Sequence, residues 1–481
     1  MRFSTGILVF ACLALSYVAL PSFAVAGSLH FAIGHADITP DVTPPRAVWM
    51  AGYYHGRAAT SVHDPLFARG MLLSDGETTV AIVSLDLIGW SYPSTVEIRQ
   101  QLPGIDFLTI CCTHNHEGPD TIGIWGESPI KRGVDEKYNA RVEETVVQLV
   151  TQLQHSLQPV SAEFAKIDRP DLVHDSRLPT VIDPTLRALC FRSKVDGEPV
   201  GLLVQGTAHP ESLGAGNTRI TADFPNYTQQ RLHALFGCPT VYVSGAIGGL
   251  LAPPPDGIYD AAGTPMRLTT FEYAETYGNL VAEAISDALR NAQPLELTPI
   301  RIQRKEVAIP IDNPLYRLAR SLNVIRRISY QWLDSPNQWG KQVTREYRPE
   351  RAAIVTEVSI VTLGQLKVLN IPGELYPELV NGIIPDPAEE NVDFPNAPIE
   401  PIVSELMQDD PYLLFGLAND EIGYIMPKRQ WDREPPFAYG RSTPQYGEIN
   451  SCSFEVGPII MQALAELCQQ AKTPAGTSAT N

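Results

Sequence analysis

Of the ten histidines in this 481-residue chain, three stand where catalysis or metal binding could use them. Thr113-His114-Asn115-His116-Glu117-Gly118-Pro119 follows directly on the apolar run Asp106–Cys112. Side chains alternate along an extended strand, so a His-x-His pair that continues it presents both imidazoles to one side. His209 closes a second apolar run, Val200–Ala208, and precedes Pro210. Strand ends on an α/β sheet are where ligands gather, because the loops there open a crevice. Two such ends, each terminating in histidine, predict imidazoles that face a common cavity. Zinc accepts imidazole nitrogen and carboxylate oxygen in a tetrahedral shell. Glu374 follows the run Gln365–Ile371, and Tyr424 ends Asn419-Asp420-Glu421-Ile422-Gly423-Tyr424. Spacing alone selects neither: a turn carboxylate and a half-buried ring are equally good readings.

The elements that must position these groups are legible in the pattern of apolar residues. Thr79–Leu85, Asp106–Cys112, Val200–Gln205, Thr240–Val243 and Gln365–Ile371 are apolar and β-branched, as expected of strands covered on both faces. Tyr138, Val142, Val146, Leu149 and Leu153 trace one face of a helix; Tyr273, Tyr277, Leu280, Ala284 and Ala288 trace another. The alternation predicts an α/β fold, mixed β-sheets flanked by helices. A single domain is expected over residues 27–470, with a small polar tail at 471–481 that is predicted to be disordered. Residues 1–26 read as a signal peptide: Arg2, the apolar stretch Ile7–Ala19 and the small residues Ala24 and Ala26 before Gly27. The expected location is therefore secreted or periplasmic.

Composition narrows the partners. The formal charge is −18, which repels phosphate backbones and argues against nucleic acid. No apolar run after the leader is long enough to span a bilayer. Six cysteines follow the leader with no CxxC pair, so a cysteine zinc cluster has no support, and one disulfide is allowed by an oxidising compartment. Residues 301–351 carry eleven Lys/Arg against five acidic residues, whereas 381–410 carry eight acidic residues and no basic one. Within the basic segment, Leu315, Leu318, Leu322, Ile325, Ile328 and Trp332 form an apolar stripe flanked by Arg317, Arg320, Arg326 and Arg327. Residues 315–333 thus read either as a lid touching anionic lipid or as a surface helix docked on the core.

The order of short motifs resembles the catalytic domain of the neutral ceramidase family. It runs through Gly34-His35-Ala36-Asp37-Ile38-Thr39-Pro40, His63-Asp64-Pro65-Leu66-Phe67-Ala68-Arg69, Ser84-Leu85-Asp86-Leu87 and Thr113–Pro119. It continues in Ala208-His209-Pro210, Ala222-Asp223-Phe224, Pro372-Gly373-Glu374 and Tyr446-Gly447-Glu448. The resemblance implies a zinc-dependent hydrolase of N-acyl amide bonds acting on a small or lipid-like acylated substrate. By position it implies His114, His209, Glu374 and Tyr424 as zinc ligands, with His116 beside them touching substrate. Tyr446 matches a family tyrosine that stabilises the oxyanion, and Arg177 a family arginine at the substrate entrance. Asp86 and Asp223 are expected to orient the imidazoles.

One departure shapes the expected chemistry. Where the family has a serine after a Gly-Asp turn, this chain reads Gly248-Gly249-Leu250-Leu251, with Leu251 at the serine position and Gly249 at the aspartate position. The family's C-terminal immunoglobulin-like domain does not follow Tyr446 in this sequence. Attack by a metal-activated water needs no serine. Glu117 would then be a general base, or else a loop-capping carboxylate. Two other outcomes stay open: a catalytically silent binding protein on this scaffold, and a true N-acylsphingosine amidohydrolase with a relocated nucleophile.

Overall fold

The computed structural model describes residues 27–472. The expected signal peptide lies outside them; the last helix, Val456–Lys472, covers the first two residues of the expected tail, and the rest lies outside. The β-branched runs form strands within a residue or so of their expected limits: Thr79–Leu85, Phe107–Cys112, Pro199–Gly206, Thr240–Ser244 and Leu366–Asn370. The two periodic stretches are helices, Glu136–Leu153 and Phe271–Leu289. Their N-caps are Asp135 and Thr270, whose side chains accept from the backbone N–H of Lys137 and Tyr273 and satisfy donors that the first turn leaves free.

The architecture is mixed α/β. A nine-stranded sheet contains, in spatial order, Thr240–Ser244, Pro199–Gly206, Thr185–Ser193, Gln158–Asp168, His30–Asp37, Phe67–Ser74, Thr79–Leu85 and Phe107–Cys112, with Gln293–Leu295 also on Gln158–Asp168. Both ends of this sheet are parallel pairs, and the strands between them are antiparallel. A six-stranded sheet is built on the long hairpin-like pair Ile300–Pro310 and Ala352–Leu363, and ends in the parallel pair Leu366–Asn370 and Tyr412–Phe415. Phe31, Phe191, Val241 and Val243 of the first sheet share one apolar core with Val361, Leu363, Leu413 and Phe415 of the second. Burial on this scale, at ~25 cal/mol per Å2 of apolar surface, is the main term that holds the sheets together. Helix Glu136–Leu153 covers one outer face of the large sheet, where Leu149 and Leu153 close over Gly34 and Gly70.

Four strand ends are tied together by hydrogen bonds made just beyond the regular ladders. The hydroxyl of Ser244 donates to the Thr113 carbonyl (2.7 Å), and Gly245 N–H donates to Gly206 O (2.8 Å). Gly416 N–H donates to Ser244 O (2.9 Å), and Asn419 N–H to Ile110 O (2.6 Å). A Cβ on Gly416 would lie 2.3 Å from the Gly245 oxygen, so only glycine permits this approach. The ends of strands 107–112, 199–206, 240–244 and 412–415 therefore meet at one place, and the loops after 107–112, 199–206 and 412–415 carry His114, His116, His209 and Tyr424.

Two expectations are corrected here. The basic stripe is not one helix over 315–333: the helix is Pro314–Ser321, followed by turns and a short hairpin, Tyr330–Trp332 with Trp339–Gln342. Most of its apolar face is not docked on the core: Leu315 and Leu318 are each 54% exposed, although Trp332 packs against it. The allowed disulfide is not found among the described residues either, where Cys111, Cys112, Cys190, Cys238 and Cys452 are buried free thiols.

Candidate metal centre

His114 and His116 reach a common space by a different route from strand alternation. The strand stops at Cys112, and His114 takes a left-handed backbone conformation with φ of 66°. Such a conformation is uncommon for a residue with a Cβ, and it marks a site held in place by its surroundings. The two rings lie 4.9 Å apart, and His209 is 4.9 Å from His114 and 5.6 Å from His116. Every one of the three is buried, and one ring nitrogen of each lies within 4.8 Å of the others. The group could hold a metal ion.

Backbone carbonyls, not carboxylates, set the orientation of two of these rings. His114 Nδ1 lies 2.8 Å from the Ile88 carbonyl and His209 Nδ1 2.6 Å from the Leu251 carbonyl. A carbonyl only accepts, so each Nδ1 carries the proton and each Nε2 is left facing the centre. Asp86 and Asp223, expected in that role, are occupied elsewhere. Asp86 pairs with Arg69 and accepts from Phe67 N–H; Asp223 accepts from the hydroxyl and N–H of Ser212. Leu251 acts here through its main chain, which any residue could supply.

The oxygen donors arrive through sheet register. Glu374–Leu375 and Tyr424–Ile425 pair in parallel with Glu374 opposite Tyr424. The Glu374 Oε2 lies 2.9 Å from His209 Nε2 and 3.5 Å from His114 Nε2, and the Tyr424 hydroxyl also bonds this carboxylate. Burial would raise the Glu374 pKa, but His114, His209 and Tyr424 together bring it below the ordinary value. Burial lowers His114 to about 4 and holds His116 well below its ordinary value, the neighbouring imidazoles adding to the effect on His116. For His209, burial is outweighed by Glu374 and the pKa rises. Metal ligation needs neutral imidazole and ionised carboxylate, and binding displaces the proton that His209 and Glu374 share.

His116 tests whether the site is built to receive a ligand. Among the described residues neither of its ring nitrogens has a hydrogen-bond partner, although both are enclosed. An unpaired buried polar atom costs ~1–3 kcal/mol, and a bound ion, water or substrate group is what such a site is able to accept. Its ring is pressed into place by Gly52, where φ is 98° and a Cβ would fall 2.5 Å from the His116 Cγ.

The remaining expected groups divide into two sets. Tyr446 lines the same cavity as His114, His116, Glu374 and Tyr424, and its ring meets Tyr424 at 6.2 Å. Glu117 and Arg177 are not in the cavity wall. Glu117 pairs with the buried Arg57 (3.2 Å) and accepts from Asn217 (2.8 Å); the same Arg57 also donates to the carbonyls of Ala51 and His116. Arg177 is 2% exposed and pairs with Glu448 at 2.8 Å. Sequence reasoning passed over Arg57 and also Glu211, whose carboxylate stands 3.7 Å from His116 Nδ1. Glu211 lies two residues beyond His209 and was open to notice; Arg57 gave no local signal.

The cavity holds about 750 Å3. Its walls are largely apolar, with Trp90, Ile122, Trp125, Leu318 and Ile325 among them, and none of the acidic segment 381–410 takes part. No family model matches the sequence and no curated protein does. Among solved structures, the neutral ceramidase from Pseudomonas aeruginosa superposes with a TM-score of 0.68 at 16% identity, over 94% of this chain and 76% of that one. A ceramidase complexed with C2 superposes with a TM-score of 0.67 at 16% identity, over 94% and 77% respectively. The chain thus has a neutral-ceramidase-like fold, with its buried histidine cluster at the meeting point of the two sheets.

Proposed function

We propose that this protein is a zinc-dependent hydrolase that cleaves an acyl-amide or ester bond with water as the nucleophile. The observation that carries this reading is the convergence of His114, His209, Glu374 and Tyr424 beside a cavity with mostly apolar walls. These four residues are assigned as ligands, and His116, without an orienting hydrogen bond, as a contact to substrate. Zinc, when bound there, supplies Lewis acidity and a water of lowered pKa. The chain's own groups do the rest. Carbonyls of Ile88 and Leu251 fix the imidazole tautomers, and Tyr446 donates its O–H to the charge that develops on the acyl oxygen. Apolar walls exclude bulk water and accommodate an acyl chain. Glu117 and Arg177 are assigned to holding the backbone around the site, since their charges are met internally.

A serine nucleophile finds no support. Leu251 occupies the family position, Ser244 donates to Thr113 O, and Ser212 donates to Asp223. The test joins zinc analysis to a panel of acyl amides and esters. About one zinc per chain is expected, with turnover that chelation removes and added zinc restores. Protein that takes up no zinc on titration and turns over nothing would overturn the reading; zinc uptake with tight ligand binding and no turnover would favour a silent binding protein.

A lipid surface is the partner we assign to the rim of this cavity. Leu315, Leu318, Leu322, Ile130 and Ile328 all line it and are between 44% and 66% exposed. Arg317 and Arg326 stand among them in a chain that is otherwise acidic. Co-sedimentation with anionic vesicles is expected to fall several-fold in the double variant Leu315→Ser, Leu318→Ser and to weaken with salt. Equal binding by the variant would refute the assignment.

A further inference from the structure

Glu421 lines the same cavity as His114, Glu374 and Tyr424, three residues before Tyr424. Its Oε1 accepts the Gly423 N–H at 2.7 Å, while Oε2 is enclosed with no hydrogen-bond partner among the described residues. Among the described residues no lysine or arginine forms an ion pair with it. Arg327, a cation acting on it, gives its two terminal nitrogens to Asp420 and the Val355 carbonyl. A carboxyl in this state is costly to keep, because both desolvation and the missing bond count against it.

The backbone makes room for this side chain. A Cβ on Gly89 would fall 2.7 Å from Glu421 Cβ and 2.8 Å from its Cγ. Gly89 therefore admits Glu421 next to the segment whose Ile88 carbonyl orients His114. An acid that stands beside the candidate metal centre, given space by a glycine and with one oxygen left without a donor, is built to meet a donor that arrives with a ligand.

We propose that Glu421 is a specificity residue, whose carboxyl group selects cavity occupants that bring a hydroxyl or ammonium donor close to the metal centre. This deepens the hydrolase reading and rests on it for the identity of the cavity as a substrate site. The substrate class is then an acyl amide or ester with an O–H or N–H+ group near the scissile bond, in preference to a plain alkyl one. Burial first, and the charge of Glu374 second, raise the Glu421 pKa well above the usual range.

Calorimetric binding of octanol, octylammonium and octyl methyl ether to the intact protein tests the assignment. The wild type is expected to bind at least one donor-bearing probe about tenfold or more tighter than the ether, the discrimination a buried hydrogen bond to such a group provides. Glu421→Ala removes that ratio. Glu421→Gln keeps the preference for octanol, having an acceptor oxygen, and loses any for octylammonium. Gly89→Ala displaces an intact Glu421 and lowers the ratio as Glu421→Ala does. Zinc content and melting temperature, measured alongside, exclude a collapsed site as the cause. The inference is overturned if the wild type fails to discriminate, if no probe binds, or if the ratio survives in folded Glu421→Ala. Should the wild type hydrolyse no acyl compound, the hydrolase reading falls, while the binding ratios still judge Glu421 independently.

Discussion

His209→Ala is expected to leave a folded protein with less than a tenth of the wild-type zinc and a kcat/KM lowered by about 10³-fold or more, as for loss of a metal that activates water. The ring it removes is 2% exposed and joins two elements, with Nδ1 on the Leu251 carbonyl and Nε2 on Glu374. Orienting partners behind a ligand are worth ~10–100-fold in metal affinity, and the ligand itself more than that. The metal-free variant also loses about 1–3 kcal/mol, the cost of leaving Glu374 and the carbonyl short of a donor. His116→Ala is the contrast that gives the result its meaning. Its nitrogens have no hydrogen-bond partner among the described residues, and with His116 assigned as a substrate contact we expect zinc to be retained and turnover lost. Metal analysis of the two purified variants decides the matter: zinc lost from both would reassign the ligands to the three histidines, and full zinc in His209→Ala would remove His209 from the ligand set.

The comparison between these two histidines also shows how far sequence could go. Strand limits were legible because β-branched runs such as Thr79–Leu85 have few other ways to be buried, and helix faces because Val142, Val146 and Leu149 repeat at helical spacing. The nearness of His114 to His116 was anticipated, but for a reason that does not hold. Alternation along a strand was the argument, whereas the strand ends at Cys112 and a left-handed residue turns the rings together. Such conformations depend on contacts from far along the chain, here the Ser244 hydroxyl on Thr113 O and Ile88 O on the ring, which no local pattern encodes.

Glu374 and Tyr424 illustrate the opposite limit. Nothing in their neighbourhoods marked them, and only resemblance put them beside the histidines. What brings them together is a two-residue parallel pairing, too short to be read from propensity. The basic stripe failed for a third reason. Its apolar residues continue at helical spacing, but the helix stops at Ser321 and Asn323 has a φ of 61°. Apolar side chains that looked like a docked face instead line a cavity, where exposure has a use. Local periodicity reports that residues share a surface; it does not report what that surface meets.

Tyr446→Phe is expected to lower kcat by about 10²–10³-fold, the loss found when one oxyanion donor is removed, with KM almost unchanged. The ring is 49% exposed and stands on the loop before the short helix Gly447–Asn450, so deleting one oxygen leaves packing intact and the melting temperature where it was. Burial first, and the charge of Glu374 second, raise the phenol above its ordinary pKa. The O–H therefore remains a donor throughout the neutral range, and Tyr446 adds no alkaline limb to the pH profile below about pH 10. Tyr424→Phe separates donor from ligand. Its hydroxyl is bonded to Glu374, so its loss is expected to reach the metal before it reaches the reaction, with weakened zinc affinity restoring activity at higher zinc. Excess zinc does nothing for Tyr446→Phe if that phenol acts on the substrate oxygen. A Tyr446→Phe variant rescued by zinc, or one whose loss appears only in KM, would place this tyrosine in binding and leave the oxyanion to other groups.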